Sequence, residues 1–218
     1  MKTGAKLRSL KRQGVKIFGC DVVVGDEATI ERGARLYSPC TIVGKSRICS
    51  GADIMPNTYV DSSYVGADTR VSSSTLINCR VGRGAQIGPY AHIRQDAIIG
   101  DGCRIGDFVE IKNSVLGEGC KVAHLSYVGD ASVGKRVNVG CGVVFANFDG
   151  KVKRGSIVED NCFIGCNCNI IAPSHIGRGA YIAAATTVCG EVPSKALCVG
   201  RVRPKMVEDG GSGRYIDG

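Results

Sequence analysis

The hydrophobic positions of this chain recur every six residues. Ile30, Leu36, Ile42, Ile48, Ile54 and Val60 form one run, and after an irregular passage Ile87, Ile93, Ile99, Ile105 and Ile111 form another. Leu116, Val122 and Val128 continue one residue out of phase, followed by Val133 and Val139, and Val158, Ile164, Ile170, Ile176, Ile182 and Val188 close the array. Six is neither the helical period of about 3.6 nor an unbroken strand alternation, so the unit is a short strand plus a turn. Three units make one flat-sided coil, and stacked coils bury a core that no single coil could bury alone. Glycine beside the marker, as in Ile99-Gly100 and Ile164-Gly165, suits the corner turns. The pattern predicts an all-β repeat domain over 21–203. Ahead of it, 1–20 read as a short N-terminal helical connector with Leu7, Leu10 and Val15 at helical spacing, and behind it 204–218 read as a flexible, Gly-rich tail.

Composition narrows the partners. At 218 residues one elongated array fits, and two unrelated enzymes do not. Aromatics are only 6% and Trp is absent, so the core is built of small and β-branched side chains, as in a thin parallel β-stack. A net charge of +8 calls for anionic partners, and without an RNP-type motif or basic helix the expectation is phosphorylated small molecules and no nucleic acid. No apolar h-region or long apolar run is present, which points to a cytoplasmic protein without membrane insertion. Of the twelve cysteines, Cys40, Cys103, Cys120, Cys162 and Cys168 each lie four residues after a marker aliphatic. That slot also takes Ala, Ser and Thr, so these thiols act as small hydrophobes. The C-x3-C-x-C cluster of Cys162, Cys166 and Cys168 matches no usual zinc spacing, and no metal is expected.

The interruptions point to chemistry. Two slips of the period, Ile111 to Leu116 and Val128 to Val133, bracket His124, and a polar excursion with three cations replaces the period between Phe145 and Val158. Alone, one of three histidines is more often structural than catalytic. Its company changes that, because Arg94, Glu110, Lys112, Tyr127, Asn138, Asn147 and Lys153 fall in successive coils. The chemistry that fits is acyl transfer to an amine. His124 takes the amine proton, and a carboxylate such as Glu110 orients it. Arg94, Lys112 and Lys153 hold a phosphate, and backbone N–H groups or the Asn147 amide stabilise the oxyanion.

The six-residue period resembles the hexapeptide-repeat family, which implies a left-handed parallel β-helix; the hand comes from that resemblance. From about Ile87 to Arg201 the likeness sharpens. Ile-Gly-Pro-Tyr-Ala-His-Ile-Arg94, Gly-Asp-Phe-Val-Glu-Ile-Lys112, His124-Leu-Ser-Tyr127, Val-Asn138-Val-Gly, Asn147-Phe-Asp-Gly and Ile-Ala-Ala184 carry it. They resemble the C-terminal domain of the bacterial bifunctional N-acetylglucosamine-1-phosphate uridyltransferase and glucosamine-1-phosphate N-acetyltransferase family. The resemblance implies acetyl transfer from acetyl-CoA to glucosamine 1-phosphate, toward UDP-N-acetylglucosamine, with His124 as proton acceptor and no metal. Arg94, Lys112, Tyr127, Asn138 and Lys153 would hold the sugar phosphate. Cys141, Asn147, Phe148, Cys166, Ala184 and Arg201 would take the acetyl-CoA positions. A homotrimer with sites between subunits is also implied.

Phe148 stands where that family usually has Tyr, Cys166 where it has Ser, and Ala123 where it has Gly. The family's Gly-rich nucleotide loop has no counterpart here, so no UTP chemistry is expected from this chain: either it is a stand-alone acetyltransferase, or its uridyltransferase partner is another polypeptide. Two other readings stay open: a hexapeptide acyltransferase for another amine or hydroxyl, and a non-catalytic oligomerisation or regulatory module. A metal-dependent hydratase would need clustered His ligands, and His92, His124 and His175 lack close pairing.

Overall fold

A computed structural model of the chain describes residues 3–207. The repeat becomes a parallel β-helix with three flat faces. The first face is an eleven-stranded sheet that begins with Lys16–Phe18 and ends with Leu197–Cys198. Each strand pairs in register with the one a coil later, as Ile105 with Val122 and Val122 with Val139. The second face carries Ile93, Ile111 and Val128 in register, and the third Ile99, Leu116 and Val133. All of these marker aliphatics are buried and together form one continuous core.

Three corners join the faces, and their lengths differ. From the third face to the first the marker spacing is always six, as in Ile30 to Leu36 or Val65 to Val71. The first corner, from the first face to the second, shortens once, at Val71 to Leu76. The second corner, from the second face to the third, is the variable one. It shortens at Val60 to Val65, Leu76 to Val81, Ile111 to Leu116, Val128 to Val133 and Val188 to Val192, and it swells into the excursion between Phe145 and Val158. This corrects two expectations. The passage from 61 to 86 is not irregular: Val65, Val71, Leu76 and Val81 are wholly buried markers, three of them reached by shorter units. The slips beside His124 are a property of the second corner and recur far from it.

The cysteine slots are as expected. Cys40, Cys103, Cys120, Cys162 and Cys168 are buried, and the thiols of Cys103 and Cys120 reach the carbonyls of Gly117 and Gly134 at 3.1 and 2.9 Å. Burial pushes the Cys40 thiol up to about 11, which removes it from thiolate chemistry.

The connector forms α1, Thr3–Arg12. Leu10 is buried against the first coil, and the Lys6 ammonium donates to the carbonyls of Gly25, Asp26 and Ala28. The coil starts earlier than residue 21, because Lys16–Phe18 already pairs with Arg35–Tyr37. Of the tail, 208–218 lie outside the described residues, and 200–207 carry no regular structure.

At the first corner Tyr90, Phe108 and Leu125 take positive φ values of 58, 54 and 47°. That conformation is costly for bulky side chains. All three are exposed, and the Tyr90 and Phe108 rings stack 5.4 Å apart.

Candidate functional site

Most of the candidate residues fall on two edges of the second face. Two residues past the first-face markers Ile105, Val122, Val139, Ile164 and Ile182, the register stacks Asp107, His124, Cys141, Cys166 and Ala184 along the first corner. Backbone bonds follow the same column. The N–H of Leu125 donates to the Asp107 carbonyl, Gly142 to His124, Asn167 to Cys141 and Ala185 to Cys166. Close stacking explains Gly140, where a Cβ would sit 2.7 Å from the Cys166 nitrogen.

His124 ends the strand Lys121–His124 with its side chain more than half exposed. Its Nδ1 lies 2.6 Å from Asp107 Oδ1. With Nδ1–H donating to the carboxylate, Nε2 is left as the basic nitrogen. A hydrogen bond from its own backbone, then the one from His124, holds the Asp107 carboxyl below the usual carboxylate range. Arg201 Nη1 donates to the Ala184 carbonyl at 3.0 Å, which brings those two candidates together at the far end of the column.

The second cluster lies on the second face and its far corner. Arg94, Lys112 and Gly129 share one register row, and His92, Glu110 and Tyr127 share the row two residues before it. Glu110 does not meet His124: it pairs with Arg94, whose Nη2 and Nε lie 2.5 and 2.8 Å away. The carboxylate on the imidazole is Asp107. Lys112 is buried and sits 3.3 Å from Asp130. Asn113 donates to Asp130 at 2.6 Å, and the Asn147 amide donates to Asp130 and, at 3.4 Å, to the Tyr127 hydroxyl. Burial alone would raise the Asp130 carboxyl. Hydrogen bonds from Asn113, Asn147 and Lys112, with the Lys112 charge, outweigh it and hold the group below the usual range. The Asn147 amide is thus committed to Asp130 and is not available for an oxyanion. Gly129 belongs to this arrangement, since a Cβ there would collide with the Tyr127 hydroxyl.

Lys153 sits in the excursion, bridged to Phe148 across a short turn. It lines a cavity of about 730 Å³ together with Lys112, Asn113, Asp130 and Arg154. Lys153 makes no side-chain hydrogen bond or ion pair among the described residues. Phe148 is exposed, and Asn138 lies on the first face in register with Lys121, away from the other sugar-phosphate candidates. Among the described residues no hydrogen bond or ion pair joins His124 to Arg94, Lys112 or Lys153. One chain therefore presents the imidazole and the cations on separate edges. No group of three or more metal-ligating side chains occurs among the described residues.

The sequence reading does not single out Asp107, Asn113 or Asp130. All three sit two residues past a marker, at Ile105, Ile111 and Val128, so the same offset that places His124 could have found them.

Residues 78–113 match the model described as bacterial transferase hexapeptide (six repeats). Two solved structures share the fold. One is the UDP-N-acetylglucosamine acyltransferase of Francisella novicida, with a TM-score of 0.55 at 17% identity over 84% of this chain and 66% of that one. The other is the UDP-N-acetylglucosamine O-acyltransferase of Moraxella catarrhalis, with a TM-score of 0.58 at 13% identity over 86% and 70%. The class is thereby a left-handed parallel β-helix of hexapeptide repeats.

Within that class the chain aligns with the C-terminal part of the bifunctional protein GlmU. It is 45% identical over 183 residues to the protein of Exiguobacterium sp., covering 84% of this chain and 39% of that protein. To GlmU of Clostridioides difficile it is 44% identical over 188 residues, covering 86% and 40%. The chain spans less than half the length of these curated relatives.

Proposed function

We propose that this chain transfers the acetyl group of acetyl-CoA to the amine of glucosamine 1-phosphate, with His124 as the general base. The observation that carries the reading is the exposed imidazole fixed by Asp107 through Nδ1, with Nε2 left to take a proton. The amine loses its proton to Nε2 as it attacks the thioester carbonyl. The tetrahedral intermediate expels the CoA thiolate, which the imidazolium protonates. Likeness to GlmU supports both the reaction class and the substrate class.

The cations fit a phosphate, though less freely than a bare cluster would. Arg94 is paired with Glu110 and Lys112 with Asp130, so each can offer only its remaining donors. Lys153 brings a full charge to the same cavity as Lys112. A second copy would supply the cation edge that one chain holds away from its own His124. The exposed ridge of Tyr90, Phe108 and Leu125 beside His124 suits burial against such a copy. We therefore read the working form as a homotrimer with sites between subunits. No helix among the described residues is long and apolar enough to cross a membrane.

Substrate choice tests the assignment. Acetyl-CoA turnover should be far faster with glucosamine 1-phosphate than with glucosamine, and equal rates would remove the phosphate role given to Lys112 and Lys153.

A further inference from the structure

The first-corner column places two thiols on consecutive rungs. Cys141 and Cys166 each follow a first-face marker by two residues, and those markers, Val139 and Ile164, are direct partners in the sheet. The N–H of Asn167 donates to the Cys141 carbonyl at 2.7 Å, so the two coils stay in register at the corner itself. Adjacent parallel strands lie about 4.8 Å apart, inside the Cα separation of about 4.4–6.8 Å that a disulfide spans. Cys166 is exposed and Cys141 partly so. Seven other cysteines are buried in the core. Exposed Cys189 has Ile171 as its partner on the preceding coil, half-buried Cys198 has Ile182, and exposed Cys20 lies in the first coil. The rung after Cys166 is Ala184, and the rung before Cys141 is His124.

From this stacking we propose that Cys141 and Cys166 are an oxidisable dithiol that takes low-molecular-weight disulfides as its reactant and switches the site off when it closes. One thiol loses its proton and attacks a sulfur of the small disulfide. A mixed disulfide forms, and one small thiolate leaves and takes up that proton. The second cysteine then attacks the bound protein sulfur, the Cys141–Cys166 bond forms, and the second small thiol departs. The dithiol is oxidised by two electrons and the small disulfide is reduced to two thiols, so no other co-reactant is needed. The bond would draw the two rungs together directly beside His124, along the edge where acetyl-CoA would lie. The regulatory half of this proposal rests on the acetyltransferase reading; the bond itself does not.

The test treats the full chain with glutathione disulfide, blocks remaining thiols with N-ethylmaleimide, and maps the peptides by mass. The expected product is a linked Cys141–Cys166 peptide pair, two hydrogens lighter than the sum of its parts. It should vanish with dithiothreitol and be absent from both Cys166→Ala and Cys141→Ala. Alkylation of both cysteines under the same treatment, or glutathione left on each without resolution, would overturn the dithiol. In parallel, oxidised wild type should lose acetyl transfer to glucosamine 1-phosphate and regain it with dithiothreitol. A linked pair with an undiminished rate would overturn the switch. Reduced wild type with no acetyl transfer at all would sink the proposed function, and the peptide map would still report on the bond.

Discussion

Lys112 and Asp130 show how much this site depends on single side chains. Both side chains are largely buried, and Asp130 accepts from Lys112, Asn113 and Asn147 at once. Replacing Lys112 by Met leaves a buried carboxylate with only the two amides. Denaturant unfolding should report a loss of about 1–3 kcal/mol, short of the ~3–5 kcal/mol for a fully stranded buried charge. The pH dependence has a definite sign. The folded carboxyl is held low, so its contribution is complete above the unfolded value of about 4 and fades as the pH falls through the folded one. The difference in melting temperature between wild type and Asp130→Asn should therefore be widest near neutrality and close in acid; a gap that stayed constant with pH would contradict this. Asp107→Asn keeps a hydrogen-bonding group beside Nδ1 but removes the carboxylate charge, so kcat should fall, though by less than for loss of His124; an unchanged kcat would contradict the role given to Asp107. His124 stands out in the sequence as a candidate because its neighbours in the chain are distinctive. Asp107 was not, because linear proximity favoured Glu110, whereas the partner of an imidazole at a corner is the residue one coil earlier.

Among the elements, the second corner carries most of the variation. Its units shorten repeatedly and swell once into the excursion that holds Asn147, Phe148 and Lys153. The third corner never changes, so the stack tolerates length differences along one edge while the faces keep register. The six-residue period was readable wherever aliphatics kept their spacing. It failed across 61–86 because units of five residues bury Val65, Leu76 and Val81 just as well. A pattern search for one spacing misses a coil whose corner is one residue tighter. Phe145 stands at the root of the excursion, buried in a row of aliphatics. Phe145→Ala should cost about 3–5 kcal/mol in denaturant unfolding, and a loss near zero would mean that the excursion anchors itself without the core.

For the whole molecule, one chain holds its imidazole on the first corner and its cations on the second face and beyond, so the proposed function calls for a second copy. The ridge at Tyr90, Phe108 and Leu125 is an exposed apolar surface beside His124, and Phe108→Glu should disrupt it. Light scattering of the wild type should give a trimer mass and the variant a smaller one. An unchanged mass would remove the ridge from the interface. The homotrimer was expected from resemblance, and neither the period nor the composition could have placed the ridge, which depends on positive-φ corners stacking in register. The most direct measurement remains the rate of acetyl transfer from acetyl-CoA to glucosamine 1-phosphate in wild type and His124→Ala, each shown to be folded by circular dichroism. Loss of the general base predicts a fall in kcat of about 10²–10⁴, and an unchanged kcat would contradict the account.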